Sequence, residues 1–217
     1  MKISTPILEN GDRLSRQEFE ERYQKMPHLK KAELIEGKVY MASPLRFEPH
    51  AEPHANLIGW LWNYKIATPG VRLGDNATIK LDLDNEPQPD AVLLLDSNRG
   101  GQTSIDEAGY IVGAPEMVIE IAASSASIDL YEKKQVYCRN GVKEYLVWRV
   151  MEQQLDWFYL QQGNYLSLTP NEKGIIDSQV FPGLRLNQVA LIAGEMQSVM
   201  MTLQEGLTSR EHQDFLQ

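Results

Sequence analysis

Two acidic residues stand where apolar strands would otherwise run on. Asp90 follows Pro89 at the start of AVLLL, and Glu120 interrupts MVIEIA. An ionised carboxylate in such a place needs hydrogen bonds, a cationic partner or a metal ion. Two oxygen donors brought together from adjacent strands suit a hard divalent ion, Mg2+ with Mn2+ as a substitute. Plainer readings exist: Pro-Asp is a common turn signal, and Glu120 could point outward from an exposed strand edge. The helix expected after Glu120 adds weight to the metal reading. Asp129, Lys133 and Tyr137 fall at i, i+4 and i+8, on one face. Lys134 lies one position round, on the side that carries Leu130, Tyr137 and Cys138, so periodicity does not choose between the two lysines. Either ammonium could approach the carboxylates, stabilise a phosphate or position an attacking water. Either could equally be an exposed helix lysine.

The elements that must position these groups follow from local signals. Ser15 and Glu18 form a capping-box pattern for a short helix ending before Met26-Pro27. KKAELIEGKVYMASP reads as two strands joined at Glu36-Gly37. HANLIGWLWNYKI has helical spacing, from Pro53 to about Lys65. Two short strand pieces lie between Gly70 and Asp82, and the continuous apolar run Val92 to Leu95 marks a buried central strand. Residues 97–110 read as a loop with one helical turn at most. APEMVIEIAASS is a second central strand, and a helix capped by Ser127 or Asp129 runs on to a glycine stop at Gly141. VKEYLVWRV, LDWFYLQ and NYLSLTP form a strand and an antiparallel meander, and residues 172–186 a short final pairing. A last helix is expected to begin near Leu186 and fade into a frayed, polar tail.

Composition bounds the possibilities. The chain has 217 residues, with 21 basic and 30 acidic side chains and a net charge of −9. A uniformly basic nucleic-acid sleeve is excluded, though local basic patches are not. Cys138 is the single cysteine, which rules out an internal disulfide and a thiolate metal cluster. No apolar run approaches the ~20 residues of a membrane span, and the N-terminus turns polar too early for a signal-peptide core. An intracellular, cytoplasmic protein with no membrane partner and no organic cofactor is the expectation. No glycine-rich phosphate loop and no serine–histidine–acid triad is present. His54, opening a helix, could contact substrate or the acidic cluster, or be structural; His28, His50 and His212 belong to no evident constellation.

Pro89-Asp90 followed by VIEIAASSASIDLYEKKQVYCRNGVKEYLVW resembles the Uma-type endonucleases common in cyanobacteria, within the PD-(D/E)XK restriction-endonuclease-like superfamily. ELIEGKVYMASP, His54 and the strand-rich stretch ending FPGLRL extend the resemblance over about residues 15–190. It implies Asp90 and Glu120 as metal ligands, direct or through water, and Glu36 as a further acid extending the site. It also implies Lys133 as the basic residue, with Asp129 and Tyr137 supporting the geometry. The chain departs from the simple E-x-K triplet, which would put lysine where Ala122 stands. Ala123-Ser124-Ser125 replaces the usual Ser-Pro-Ser.

The expected architecture is α/β: a restriction-endonuclease-like central mixed sheet flanked by helices, with an additional antiparallel strand region. Residues 1–14 would be an irregular lead, 15–190 one domain and 191–217 a helical or frayed tail. The expected activity is Mg2+-dependent hydrolysis of DNA phosphodiesters, with RNA a lesser possibility. The rival is a non-catalytic interaction or nucleic-acid-binding protein on a nuclease-derived scaffold. A homodimer is reasonable if Trp148 or Trp157 is exposed.

Overall fold

Ser15 accepts the backbone N–H of Glu18 while the Glu18 carboxylate reaches back to Ser15, so the expected capping box starts α1 (Arg16–Tyr23). These are the first features of a computed structural model that describes residues 6–42, 44–123 and 125–217. The first five residues of the expected irregular lead, and Ser124 of the expected altered turn after Glu120, lie outside the described residues.

α1 packs Phe19 against a hairpin of β1 (Ala32–Ile35) and β2 (Lys38–Met41). Glu36 (φ 52°) and Gly37 (φ 69°) turn the hairpin, a left-handed pair whose twist matches the flanking strands. A π-helical turn, Phe47–Ala51, leads into α2 (Glu52–Ala67). β3 (Val71–Asp75), β4 (Ile79–Lys80) and β5 (Ala91–Leu95) follow, then a 3-10 turn at Ser97–Arg99 and the short β6 (Ser104–Ile105) and β7 (Ile111–Val112). β8 (Met117–Ala122) precedes a second π-helical segment, Ile128–Lys133, that continues as α3 (Lys134–Asn140). Gly141 (φ 86°) stops α3 as expected, but Ser127 makes no side-chain cap bond, and Asp129 instead accepts from Ser125. β9 (Glu144–Arg149), β10 (Gln154–Gln161) and β11 (Asn164–Ser167) form the strand and meander, and β12 (Ile175–Asp177) pairs with β13 (Arg185–Asn187).

The central sheet has six strands in the order β11-β10-β9-β8-β5-β3. Only the β8–β9 pairing is parallel, so the sheet is mixed, and helices cover both faces. Alternate side chains divide between those faces. Ile119, Ile121, Leu146 and Trp148 face α2 and the C-terminal helices, while Val118, Ala122, Tyr145 and Val147 face α3. Separate small strand pairs, β1–β2 and β12–β13, complete the architecture, with β4-β7-β6 as a third small sheet.

Of the two forms expected for the C-terminal stretch, helical or frayed, the helical one is present: α4 (Gln188–Ile192), α5 (Met196–Leu207) and α6 (Arg210–Leu216) form, and Val199, Leu203 and Leu207 enter the main core against α2. Their i, i+4, i+8 spacing buries one stripe while Met201 and the glutamines face out. Trp157 and Trp148 are also buried, Trp157 edge-to-face with Trp60 at 6.0 Å. Neither indole offers an exposed surface, so the condition on which a homodimer was expected is not met.

Glu144 ties the sheet to the loop after β12 and lies outside the candidate site. Its two oxygens accept from Trp157 Nε1, Ser178 Oγ, and the backbone N–H groups of Gln179 and Val180. Burial pushes its carboxyl up to about 7, against the pull of those hydrogen bonds. Glu144→Gln keeps one acceptor oxygen and turns an amide NH2 toward the other donors. A loss of about 1–3 kcal/mol is expected from those orphaned donors, measured by urea denaturation.

Candidate active site

The strand register builds the site. In the antiparallel β5–β8 pair Ala91 lies opposite Ile119, so one step further along the ladder places Asp90 opposite Glu120. Directly opposed residues project to the same face, here the one covered by α3. Both are only 3% exposed. The Ile121 N–H donates to Asp90 Oδ2 at 2.8 Å, fixing the carboxylate against the next strand. Asp90 lies in a bend immediately before β5, as the turn reading has it, but is buried there, and Glu120 points inward rather than out from an exposed edge.

Lys133 reaches this floor from the π-helical segment. Its Nζ lies 2.9 Å from Glu120 Oε1, 2.9 Å from Glu33 Oε1 and 3.6 Å from Asp129 Oδ1. Tyr137 OH donates to the same Glu120 oxygen at 3.0 Å, and Ser125 Oγ donates to Asp129. Lys134 turns the other way and sets its ammonium 3.6 Å from the Phe158 ring centroid. The choice that periodicity left open therefore falls on Lys133. Backbone widening over Ile128–Lys133 accompanies it, since π turns shift which side chains share a face.

Glu36 is not part of the cluster. It sits at the hairpin turn, where its carboxylate pairs with Arg139 at 2.7 Å, both side chains about half exposed. Three residues along a strand reverse the facing, so Glu33 points in where Glu36 cannot. Glu33 accepts the Gln88 N–H at 2.7 Å as well as Lys133. Sequence reasoning missed Glu33 although its signal matched that of Glu120, an acid inside a buried strand. Glu36→Ala is expected to change stability by no more than about 0.5 kcal/mol, as for an exposed pair. Glu33→Ala, which strips a buried ammonium of a partner, is expected to cost more, and urea melts of the two proteins compare them directly.

Histidines and one further lysine complete the surroundings. His50, on the π turn before α2, places Nε2 3.3 Å from Asp90 Oδ2, and its buried Nδ1 has no protein partner among the described residues. No local pattern in the sequence pointed to it. His54 Nε2 lies 3.0 Å from the Asp90 carbonyl oxygen and 3.1 Å from Asp75 Oδ1, so it holds the backbone of Asp90 from behind. Lys31 Nζ stands 3.4 Å from Asp90 Oδ1.

The electrostatics separate the two strand acids. Burial opposes ionisation of Asp90, but the His50 hydrogen bond, the Lys31 charge and the Ile121 N–H hold its carboxyl well below the usual carboxylate range. Burial pushes Glu120 up to about 8, against the attraction of Lys133 and with the neighbouring acids adding to the rise. Lys133 is desolvated too, yet Glu120, Glu33 and Asp129 hold its ammonium well above the ordinary lysine value. Above these groups opens a cleft of about 270 Å³, lined on one side by the charged floor and on the other by residues of β2 and the segment after it.

A family model described as "Putative restriction endonuclease", Uma2, matches residues 16–190. The chain belongs to the Uma2 family. No curated protein matches. Among solved structures, the chain is similar to one from Anabaena variabilis ATCC 29413 described as "a putative nuclease belonging to DUF820", with 15% identity and a TM-score of 0.57. The match covers 84% of this chain and 97% of that one. At that identity the likeness is one of fold. No helix among the described residues is long and apolar enough to cross a membrane.

Proposed function

We propose that the protein is a Mg2+-dependent endonuclease of the PD-(D/E)XK type that hydrolyses DNA phosphodiester bonds. The observation that carries this reading is the meeting of Asp90, at the entry to β5, with Glu120 of β8, and Lys133 bonded to Glu120 at the floor of an open cleft. Among the described residues no group of three or more His, Cys, Asp or Glu is arranged as a complete metal-ligand set. Mg2+ does not require one, because it keeps several waters and takes one or two carboxylates plus substrate phosphate oxygens. The donor chemistry fits: the carboxylates of the floor supply hard oxygen atoms, beside the His50 imidazole and the two ammoniums. Four carboxylates, Glu33, Asp90, Glu120 and Asp129, face the two ammoniums of Lys31 and Lys133, leaving an excess of negative charge when all are ionised.

Asp90 and Glu120 would hold the ion, which when bound lowers the pKa of a coordinated water and polarises the scissile phosphate. The remaining work falls to side chains of this chain. Tyr137 and Lys133 hold Glu120 in place from one side, and His50 and the Ile121 N–H hold Asp90 from the other. Lys133, donating three N–H groups from a fixed position, can turn one toward a non-bridging phosphate oxygen as negative charge builds there. Lys31 supplies a second cation beside Asp90. Incubation with plasmid, linear and single-stranded DNA in Mg2+ or Mn2+ tests the reading. Cleavage that EDTA abolishes is the expected result. Intact DNA in every metal, together with no metal binding, would move the assignment to a non-catalytic protein on the same scaffold.

A further inference from the structure

The cleft has two unlike walls. Its floor is charged, whereas Tyr40, Met41, Pro44 and Leu45 of β2 and the following segment, with Ile128, supply apolar lining. Resting on the nuclease reading above, we propose that the cleft takes an unpaired DNA nucleotide, phosphate to the floor and base to the apolar flank, so that single-stranded DNA is preferred to continuous duplex.

Three features support this. First, Asp90 and Glu120 are recessed, each only 3% exposed, in a cleft of about 270 Å³ that is on the scale of one nucleotide. A duplex presents sugar and phosphate outward and keeps its bases paired, so it would leave the apolar flank without a partner. Reaching the floor from a duplex would require extruding a nucleotide, at the cost of unpairing and unstacking. Second, Leu45, which lines the cleft beside Arg46, is 64% exposed and so leaves apolar surface open to solvent there. Tyr40 of β2 lines the same flank. Flat and apolar side chains next to a cation suit base stacking, to which every unpaired base can contribute. Third, the chain's net charge is −9. Duplex binding draws chiefly on phosphate neutralisation, and this protein is poor in that resource; contacts to bases offer another.

Fluorescence anisotropy on the full chain, in Ca2+ to avoid turnover, tests the proposal with three labelled probes of equal length. They are a mixed-sequence single strand, its blunt duplex, and an abasic single strand carrying the same phosphates. The intact single strand is expected to bind at least about tenfold more tightly than either of the others, the scale of one stacked base. Leu45→Ser is expected to weaken single-strand binding severalfold with an unchanged melting temperature, since that side chain is largely in solvent. Duplex binding as tight as single-strand binding, or an abasic strand bound as well as the intact one, would overturn the inference and leave the nuclease reading standing. Failure to bind any of the three probes would sink that reading, and this inference with it.

Discussion

Asp90→Asn protein is expected to lose metal-dependent DNA cleavage by about 100-fold or more while keeping its fold. Asparagine is nearly isosteric and retains an oxygen for the Ile121 N–H, which now donates to Asp90 at 2.8 Å. The lost negative charge is the difference that matters. A divalent ion contributes several kcal/mol of transition-state stabilisation, and each 1.36 kcal/mol is worth a factor of ten in rate. Weakening one of its two carboxylate ligands should forfeit a large part of that. The amide NH2 would take the Oδ1 position and face Lys31, 3.4 Å away, while His50 keeps the retained oxygen that also serves Ile121, at a stability cost of about 1 kcal/mol. Plasmid nicking assays give the rate, and circular dichroism checks the fold. Cleavage within a few-fold of the parent would remove Asp90 from the metal site.

Lys133→Met is expected to destabilise the protein by about 3–5 kcal/mol at pH 8, the usual cost of leaving buried charge without its partner. The ammonium lies within 3.6 Å of Glu33, Glu120 and Asp129, and methionine fills the stem's volume without the charge. The pH dependence has a definite sign. Glu120 already has a folded pKa of about 8 against an ordinary 4.5, because burial outweighs the attraction of Lys133. Removing that attraction raises it further. A carboxyl whose folded pKa is raised favours the folded state fully below its unfolded pKa, and that contribution is lost as pH rises through the folded value. The unfolded state is common to both proteins, so the deficit of the variant relative to the parent should be greatest above the variant's raised Glu120 pKa, fall as pH drops from that value to about 8, and level off below. Urea denaturation at a series of pH values measures it. A deficit that did not change with pH would mean that lost packing, not uncompensated charge, is its source.

Much of the scaffold was legible because its signals are local. The Ser15–Glu18 capping box, the Glu36-Gly37 turn and the Gly141 stop each depend on residues a few positions apart. The apolar runs of β5 and β8 marked central strands, and an acid at the head of the first and one inside the second marked Asp90 and Glu120 as candidates. Other parts were not recoverable in this way. His50 enters the site because a π turn and the packing of α2 carry it beside Asp90, and neither leaves a trace in residue spacing. That the C-terminal stretch is helical rather than frayed was not decided by its residues, because α5 is amphipathic rather than continuously apolar and its stripe becomes meaningful only once α2 offers a surface.

By itself the amino-acid sequence determined the central strands, the acid at the head of one and the acid inside the other, and the helix that carries a lysine after them, though not β6 or the three C-terminal helices. Residue type and spacing are enough for those, since hydrophobic period and turn chemistry act over a few residues. Which groups meet was decided only by the tertiary structure. Strand register set Asp90 opposite Glu120, hairpin facing chose Glu33 over Glu36, and the widened helix aimed Lys133 inward while Lys134 went to Phe158. A single step of register, or a fraction of a helical turn, exchanges one face for the other. That step is fixed by contacts between residues up to 100 positions apart, as in the bond from Lys133 to Glu33.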